Sequence, residues 1–295
     1  MKLMYLEELV DVVEAVILAN AKAERGCIGL LIVAPAGEGK TEVIDLFPGT
    51  LTVEKLSDIS PWGVKRFAKD QAARKQSRRV KTILVPDFNV VLTQRNERTL
   101  SLMCAALAEG LQTSYTRNMM MKLKKPVRFG WVAACTPEYF VRGFDFMKAL
   151  GFIDRCFIYV YNYTASQRSA INTKIWLERG RKEADTSPET ARNGRDRTGH
   201  RMPQVRDSFI KGKTRLTPVR LPSSGNVSYT LQLLDLSPRQ NANLVLFARA
   251  WKTLHRGVSL KKMFDSRWLH DSFAVQKCGS KNELFSVLKA EMVVK

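Results

Sequence analysis

The chain has 295 residues, 45% of them hydrophobic, with a formal net charge of +20 and a pI near 10. That length holds one large or two modest domains with an ample core, and the charge favours a polyanionic partner, nucleic acid before an anionic membrane surface. The five scattered cysteines (Cys27, Cys104, Cys135, Cys156, Cys278) form no CxxC pair and there are three histidines, which excludes a disulfide framework and a structural zinc site. The N-terminal octet follows no signal-peptide plan and no window holds eighteen uncharged apolar residues, so a soluble, cytoplasmic protein without a membrane span is expected.

Residues 5–24 predict an amphipathic helix, with Leu6, Leu9, Val10, Val13, Val16 and Leu18 at helical spacing. A continuous apolar strand over 28–33 leads into Ala34, Pro35, Ala36, Gly37, Glu38, Gly39, Lys40 and Thr41, and a short helix follows before Pro48 and Gly49 break it. Strand, glycine-containing loop and helix is the context that a phosphate-binding loop requires. Gly37 and Gly39 let the backbone N–H groups curl toward an anion. Lys40 would reach the outer phosphates of a nucleoside triphosphate, and the Thr41 hydroxyl would join the shell of a Mg²⁺ ion.

A short strand over 51–53 precedes a helix expected over 60–81, opened by Ser60 and Pro61. Lys65, Arg66, Lys69, Arg74, Lys75, Arg78, Arg79 and Lys81 face one acid there, Asp70. Such a helix can lie along a phosphate backbone or simply be a solvated face. The strand over 82–87 ends in Asp87, a carboxylate suited to hold Mg²⁺ downstream of a phosphate loop. The next residues are Phe88 and Asn89 rather than a glutamate, so the base for an attacking water is unassigned, with Asn89 and Glu97 as substitutes.

A helix over 97–111, a short strand to Thr116, and a basic, Met-rich tip over 117–125 come next. The tip either packs or touches DNA or a protein substrate. The buried strand over 127–137 ends in Thr136, which can orient a lytic water. Arg155 stands just before a strand over 158–161, where it can reach a neighbouring subunit's γ-phosphate. Residues 179–215 are basic and poor in apolar groups, predicting a stretch that does not order itself: a nucleic-acid tether or a linker. Ser237 and Pro238 open a clear helix that Gly257 ends, and two short helices are expected around 264–268 and 284–287.

In this order, the phosphate loop, the Asp87 strand, the Thr136 strand, Arg155 and the Ser237-Pro238-Arg239 helix resemble the AAA+ ATPases over roughly residues 5–265. Residues 105–110, the strand to Thr116 and the Ser-Pro-Arg helix are similar to MoxR-type and chelatase-like members, and residues 151–156 to the finger segment of clamp loaders. The resemblance implies an α/β fold: a P-loop AAA+ core over 1–164, with a parallel sheet sandwiched by helices. A lid start with a basic segment would occupy 165–218, and a mainly helical lid or C-terminal region 219–295. It implies that residues 34–41 bind ATP, that Thr41 and Asp87 hold Mg²⁺, and that Asp87, Thr136, Arg155 and Arg239 are the catalytic set. Thr136 would be sensor 1, Arg239 sensor 2, and Arg155 a finger that makes sense only in a ring or filament, a hexamer included. With the basic helix and the net charge, the expected function is an oligomeric ATPase acting on DNA. The alternatives are a MoxR-like remodeller of a partner protein and a switch that binds ATP but hydrolyses it slowly.

Overall fold

The computed structural model describes residues 4–185 and 237–293, apart from 25, 48, 50, 51, 58, 76–78, 95, 117, 118, 256 and 257. The chain opens with α1 (Glu7–Lys22), β1 (Gly29–Val33), α2 (Lys40–Asp45), β2 (Val53–Lys55), α3 (Pro61–Ala73) and β3 (Thr82–Val85). Next come α4 (Asn89–Thr93), α5 (Glu97–Leu107), β4 (Leu111–Thr116), β5 (Met119–Val127), β6 (Gly130–Cys135) and α6 (Pro137–Ala149). A 3₁₀ turn (Ile153–Arg155) leads to β7 (Cys156–Val160) and α7 (Ala165–Asp185). The C-terminal region holds α8 (Pro238–Leu254), α9 (Leu260–Phe264), α10 (Arg267–Lys277) and α11 (Lys281–Val293).

Five strands form one parallel sheet in the order β2-β3-β6-β1-β7. Strands buried on both faces read as unbroken apolar runs, and β1, β3 and β6 are buried at every residue. The period-two alternation of side chains sorts the core into two layers. Leu30 and Ile32 pack with Leu9, Val43, Ile44, Leu244 and Phe247, so α1, α2 and α8 cover one face. Leu31 and Val33 pack with Val64, Ala68, Leu100, Phe140 and Phe144, so α3, α5 and α6 cover the other. This is a mixed α/β protein with helices on both faces of a parallel sheet, and among the described residues no helix is long and apolar enough to cross a membrane.

Side-chain hydrogen bonds tie helices to β1 and to β7. Asn20, buried at the end of α1, donates to Ile28 O (3.1 Å) and accepts from Ile28 N (2.7 Å), which anchors the helix to the entry of β1. Along β7, an edge strand, α10 supplies the missing ladder partners: Ile158 N donates to Ser272 Oγ at 2.9 Å, and Gln276 Nε2 donates to Cys156 O at 2.6 Å. The C-terminal helices therefore share the sheet's own core, with Phe247, Trp268 and Phe273 around Phe157.

Several elements depart from the sequence-based expectation. The helix expected over 60–81 ends at Ala73, where Arg79 donates to the carbonyls of Ala72 and Arg74 and satisfies the helix end. The expected tip over 117–125 belongs largely to a strand: β5 starts at Met119 and pairs antiparallel with β4. Its alternation of buried Met121 with exposed Lys122 is a strand pattern. Helices α4, α6 and α7 go beyond the elements read from the sequence, and three C-terminal helices, α9 to α11, stand where two were expected. Of the basic stretch over 179–215, residues 179–185 complete α7; 186–215 lie outside the described residues, as does the expected start of the last region near 219.

Candidate functional site

The C-terminal ends of β1, β6 and β3 lie side by side, with β6 in the middle. In open α/β sheets this edge is where ligands bind. From β1 the chain turns through residues 34–39 into α2. Gly37 and Gly39 take positive φ, +78° and +82°, a region that L side chains rarely adopt. At Gly39 a Cβ would also stand 2.9 Å from Leu6 Cδ1, so the leucine methyl would have to shift, but it is the backbone that demands glycine there. Tyr5, next to Leu6, is the one described non-glycine residue with positive φ (63°) and is exposed beside the loop.

Lys40 is half-buried, and its Nζ donates to Ala34 O (2.7 Å) and Pro35 O (2.6 Å) beneath the loop. Burial lowers its pKa below the ordinary lysine value; the nearby carboxylates of Glu38, Glu42 and Asp87 oppose that shift. The carboxylate of Asp87, at the end of β3, is thus electrically coupled to the lysine of the loop. Asp87 is exposed, and its Oδ1 accepts from Asn89 N at 3.0 Å. Asn89 Oδ1 in turn accepts from Thr136 N at 3.0 Å, bridging the ends of β3 and β6. Thr136 opens α6 without using its hydroxyl as a cap. The backbone joins the same edge together through Ala34 N on Cys135 O (3.3 Å) and Phe88 N on Ala134 O (2.8 Å).

The absence of a glutamate after Asp87 has a structural cause. Phe88 is fully buried and stacks with Phe152 (5.9 Å) and Trp131 (6.3 Å), which themselves stack at 4.9 Å. The position following Asp87 therefore faces the core. Of the two substitutes, Asn89 has its carboxamide oxygen committed to Thr136. Glu97 lies exposed in the first turn of α5, where a carboxylate complements the helix end.

The loop is also clasped from a distance, through residues the sequence reading did not single out. Glu38 is buried, and its Oε1 accepts from Arg168 Nη2 (2.7 Å) and Nε (3.1 Å) at the start of α7. Glu38 Oε2 accepts from Tyr163 N (3.1 Å), and Glu38 O accepts from Tyr161 OH (2.6 Å). Tyr163 OH donates to Met4 O at 3.3 Å. Both phenols are pushed up by burial. These partners lie more than a hundred positions along the chain, so no local pattern announces them.

Arg155 and Arg239 are not brought to the loop. Arg155 precedes β7 at the opposite end of the sheet, about 16 Å away along a five-residue strand. Its Nη1 donates to Leu150 O (3.0 Å) and Gly151 O (2.8 Å), closing the C-terminal end of α6. Arg239 stands in the same quarter, with Nη2 on Glu109 Oε1 at 3.2 Å, and its charge reaches Cys104 along with that of Arg155. Arg239, the sensor 2 that the resemblance implies, therefore stands away from the loop of its own subunit. The reason is topological: α8 is opened by its Ser237 capping box near the N-terminal ends of the strands.

No protein-family model matches the chain, and no curated protein matches it. The assignment of the site therefore rests on the residues themselves. Among the described residues no group of three or more His, Cys, Asp or Glu could hold a metal. The Thr41 hydroxyl and Asp87 carboxylate, hard oxygen donors that are both exposed at this edge, fit Mg²⁺, which takes few protein ligands and completes its shell with phosphate oxygens and water.

Proposed function

We propose that the chain is an ATP-binding, Mg²⁺-dependent ATPase of the AAA+ type that assembles into a ring or filament and acts on DNA, with its C-terminal helices in the place of the lid. One observation carries this reading: the loop with Lys40, the Thr136 strand end and Asp87 stand at the ends of three adjacent parallel strands. Residues 34–39 would cradle phosphate oxygens with their N–H groups. Lys40, released from the Ala34 and Pro35 carbonyls, would neutralise the outer phosphates, and Thr41 and Asp87 would hold Mg²⁺. The cation polarises the terminal phosphate when bound. Asn89 fixes the backbone of Thr136, so that its hydroxyl can orient a water. Arg155 is too far from the loop of its own subunit, so its action would be on a neighbour's nucleotide and would require it to leave the α6 carbonyls. The DNA assignment is motivated by the net charge of +20.

A second reading, a switch that binds ATP and hydrolyses it slowly, is favoured by the burial of Phe88, which leaves Asp87 without an adjacent base. Measuring MgATP binding and turnover, with and without DNA, for the parent chain and Lys40→Ala tests both. Lys40→Ala should weaken nucleotide binding on the order of a hundredfold, the loss of about two charge-assisted hydrogen bonds. A fully active Lys40→Ala variant overturns the assignment. Turnover at ordinary motor rates removes the switch reading alone.

A further inference from the structure

A second surface lies apart from the loop. On α3, Trp62, Arg66 and Lys69 succeed one another at helical spacing and share one exposed face, while Val64, Ala68 and Gln71 are buried on the other. Trp62 is 52% exposed, and the Arg66 guanidinium lies over its ring, 5.2 Å from the centroid. About half of this large aromatic therefore stays open to water, beside a cation that lies over its ring. Strand β5 packs against α3, and its Lys122, Lys124 and Lys125 are exposed. None of these five cations pairs with a carboxylate among the described residues. Asp70 is the only acid on α3. An aromatic platform flanked by cations on a helix therefore stands beside a strand with three exposed lysines.

We propose that the Trp62 face of α3 binds single-stranded nucleic acid, a base stacking on Trp62 while Arg66 and Lys69 meet the phosphates and the strand continues toward the lysines of β5. The proposal rests on the nucleic-acid reading of the proposed function and narrows it. Aromatic platforms flanked by cations hold unpaired strands, because every unpaired base offers a π-face. Within a duplex the bases are already stacked, so a surface tryptophan adds nothing and only the cations act. Cation–π contact with Arg66 holds the ring in place.

The test is fluorescence anisotropy of the full chain with labelled oligothymidylate, oligouridylate and a duplex, each about 20 nucleotides long, enough to cross the face. Single strands should bind with a salt dependence of about −0.7 in log–log slope for each phosphate contacted. Trp62→Ala should weaken single-strand binding on the order of tenfold, leaving duplex binding unchanged. Trp62→Phe should recover most of that loss. Exchanging Lys122 and Lys124 for glutamate should lower both affinity and salt slope. The two single strands together report whether the sugar is read. Trp62 is exposed, so unchanged melting temperatures would separate lost binding from lost folding. If Trp62→Ala binds oligothymidylate and oligouridylate as tightly as the parent, or weakens the duplex equally, the inference is wrong and the broader nucleic-acid reading stands. If neither single strands nor duplex bind at low salt, both fall.

Discussion

The two ends of the parallel sheet are built on opposite plans. At the C-terminal edge, glycines with positive φ hold open a loop, Asp87 stays exposed, and Lys40 is tied only to carbonyls of the loop it serves. At the N-terminal edge the polar side chains close helix ends. Arg155 caps α6, Arg128 Nε donates to Ala108 O at 2.8 Å behind α5, and Arg239 meets Glu109. Cys27 and Cys104 are buried among them. One edge leaves polar groups exposed, as the proposed nucleotide site requires, whereas the other commits them to helix ends. Substitutions at the first should therefore alter ligand binding, and those at the second should alter folding.

The largest expected effect is a deliberate exception to that division. Phe88→Glu would give the chain the carboxylate missing after Asp87, yet the side chain points into the Trp131–Phe152 stack. Losing the ring and burying a charge should remove about 4 kcal/mol of stability. Chemical denaturation measures this. A stable Phe88→Glu variant with faster turnover would mean that position 88 faces the nucleotide, contrary to the packing seen here.

Next in size is Arg168→Ala. It strands the buried Glu38 carboxylate with a single remaining partner on its other oxygen, Tyr163 N. Breaking a buried pair costs about 3–5 kcal/mol, but Arg168 is half exposed, and solvent screening reduces the expected loss to about 2 kcal/mol. Nucleotide binding should weaken too, although Arg168 touches no phosphate in the proposed complex, because Glu38 positions the loop between Gly37 and Gly39. Glu38→Gln with Arg168→Ala should recover part of the loss, since an amide tolerates burial better than an unpaired carboxylate. If the single change leaves both melting and MgATP affinity untouched, the clasp does not shape the loop.

Alkaline pH probes the closed edge. Burial pushes the thiols of Cys27 and Cys104 up to about 11, from an ordinary value of 9.0. Their folded-state pKa is raised, so the stability they contribute is complete below about pH 9 and is lost as pH rises toward 11. At pH 10 each thiol should account for a loss of about 1 kcal/mol. Cys27→Ala should flatten the fall in melting temperature between pH 8 and 10.5 relative to the parent, once its constant packing loss is subtracted. An unchanged slope would mean that Cys27 ionises as freely in the fold as in the open chain.

What the sequence made legible follows from the range of each interaction. Residues 34–41 carry their conformation in local pattern: apolar strand, two glycines, helix. Strands β1, β3 and β6 were readable for the same reason, as unbroken apolar runs. The orientation of Phe88 was not, because it depends on Trp131 and Phe152 meeting it across the sheet. Nor was the Glu38–Arg168 clasp, which joins residues 130 positions apart. Helix α6 escaped notice because its aromatic residues, among them Phe140 and Phe144, read as either element until the sheet gives them a face to cover.

The smallest effect sharpens the comparison most. Arg239, the sensor 2 that the AAA+ resemblance implies, lies at the closed edge, paired with Glu109 on an exposed surface. An exposed pair contributes about 0–1 kcal/mol, so Arg239→Ala should scarcely alter melting. Arg155→Ala, which frees two carbonyls at the end of α6, should lower stability by about 1–2 kcal/mol. For ligand binding the two edges make a cleaner distinction. In dilute, monomeric protein neither change should move MgATP affinity, because neither arginine can reach a loop one strand-length away. At concentrations where subunits associate, either change can act through a neighbour. A marked loss of MgATP affinity for Arg239→Ala in the monomer would mean that α8 swings to the open edge when nucleotide binds, and the two ends of the sheet would then work as one site.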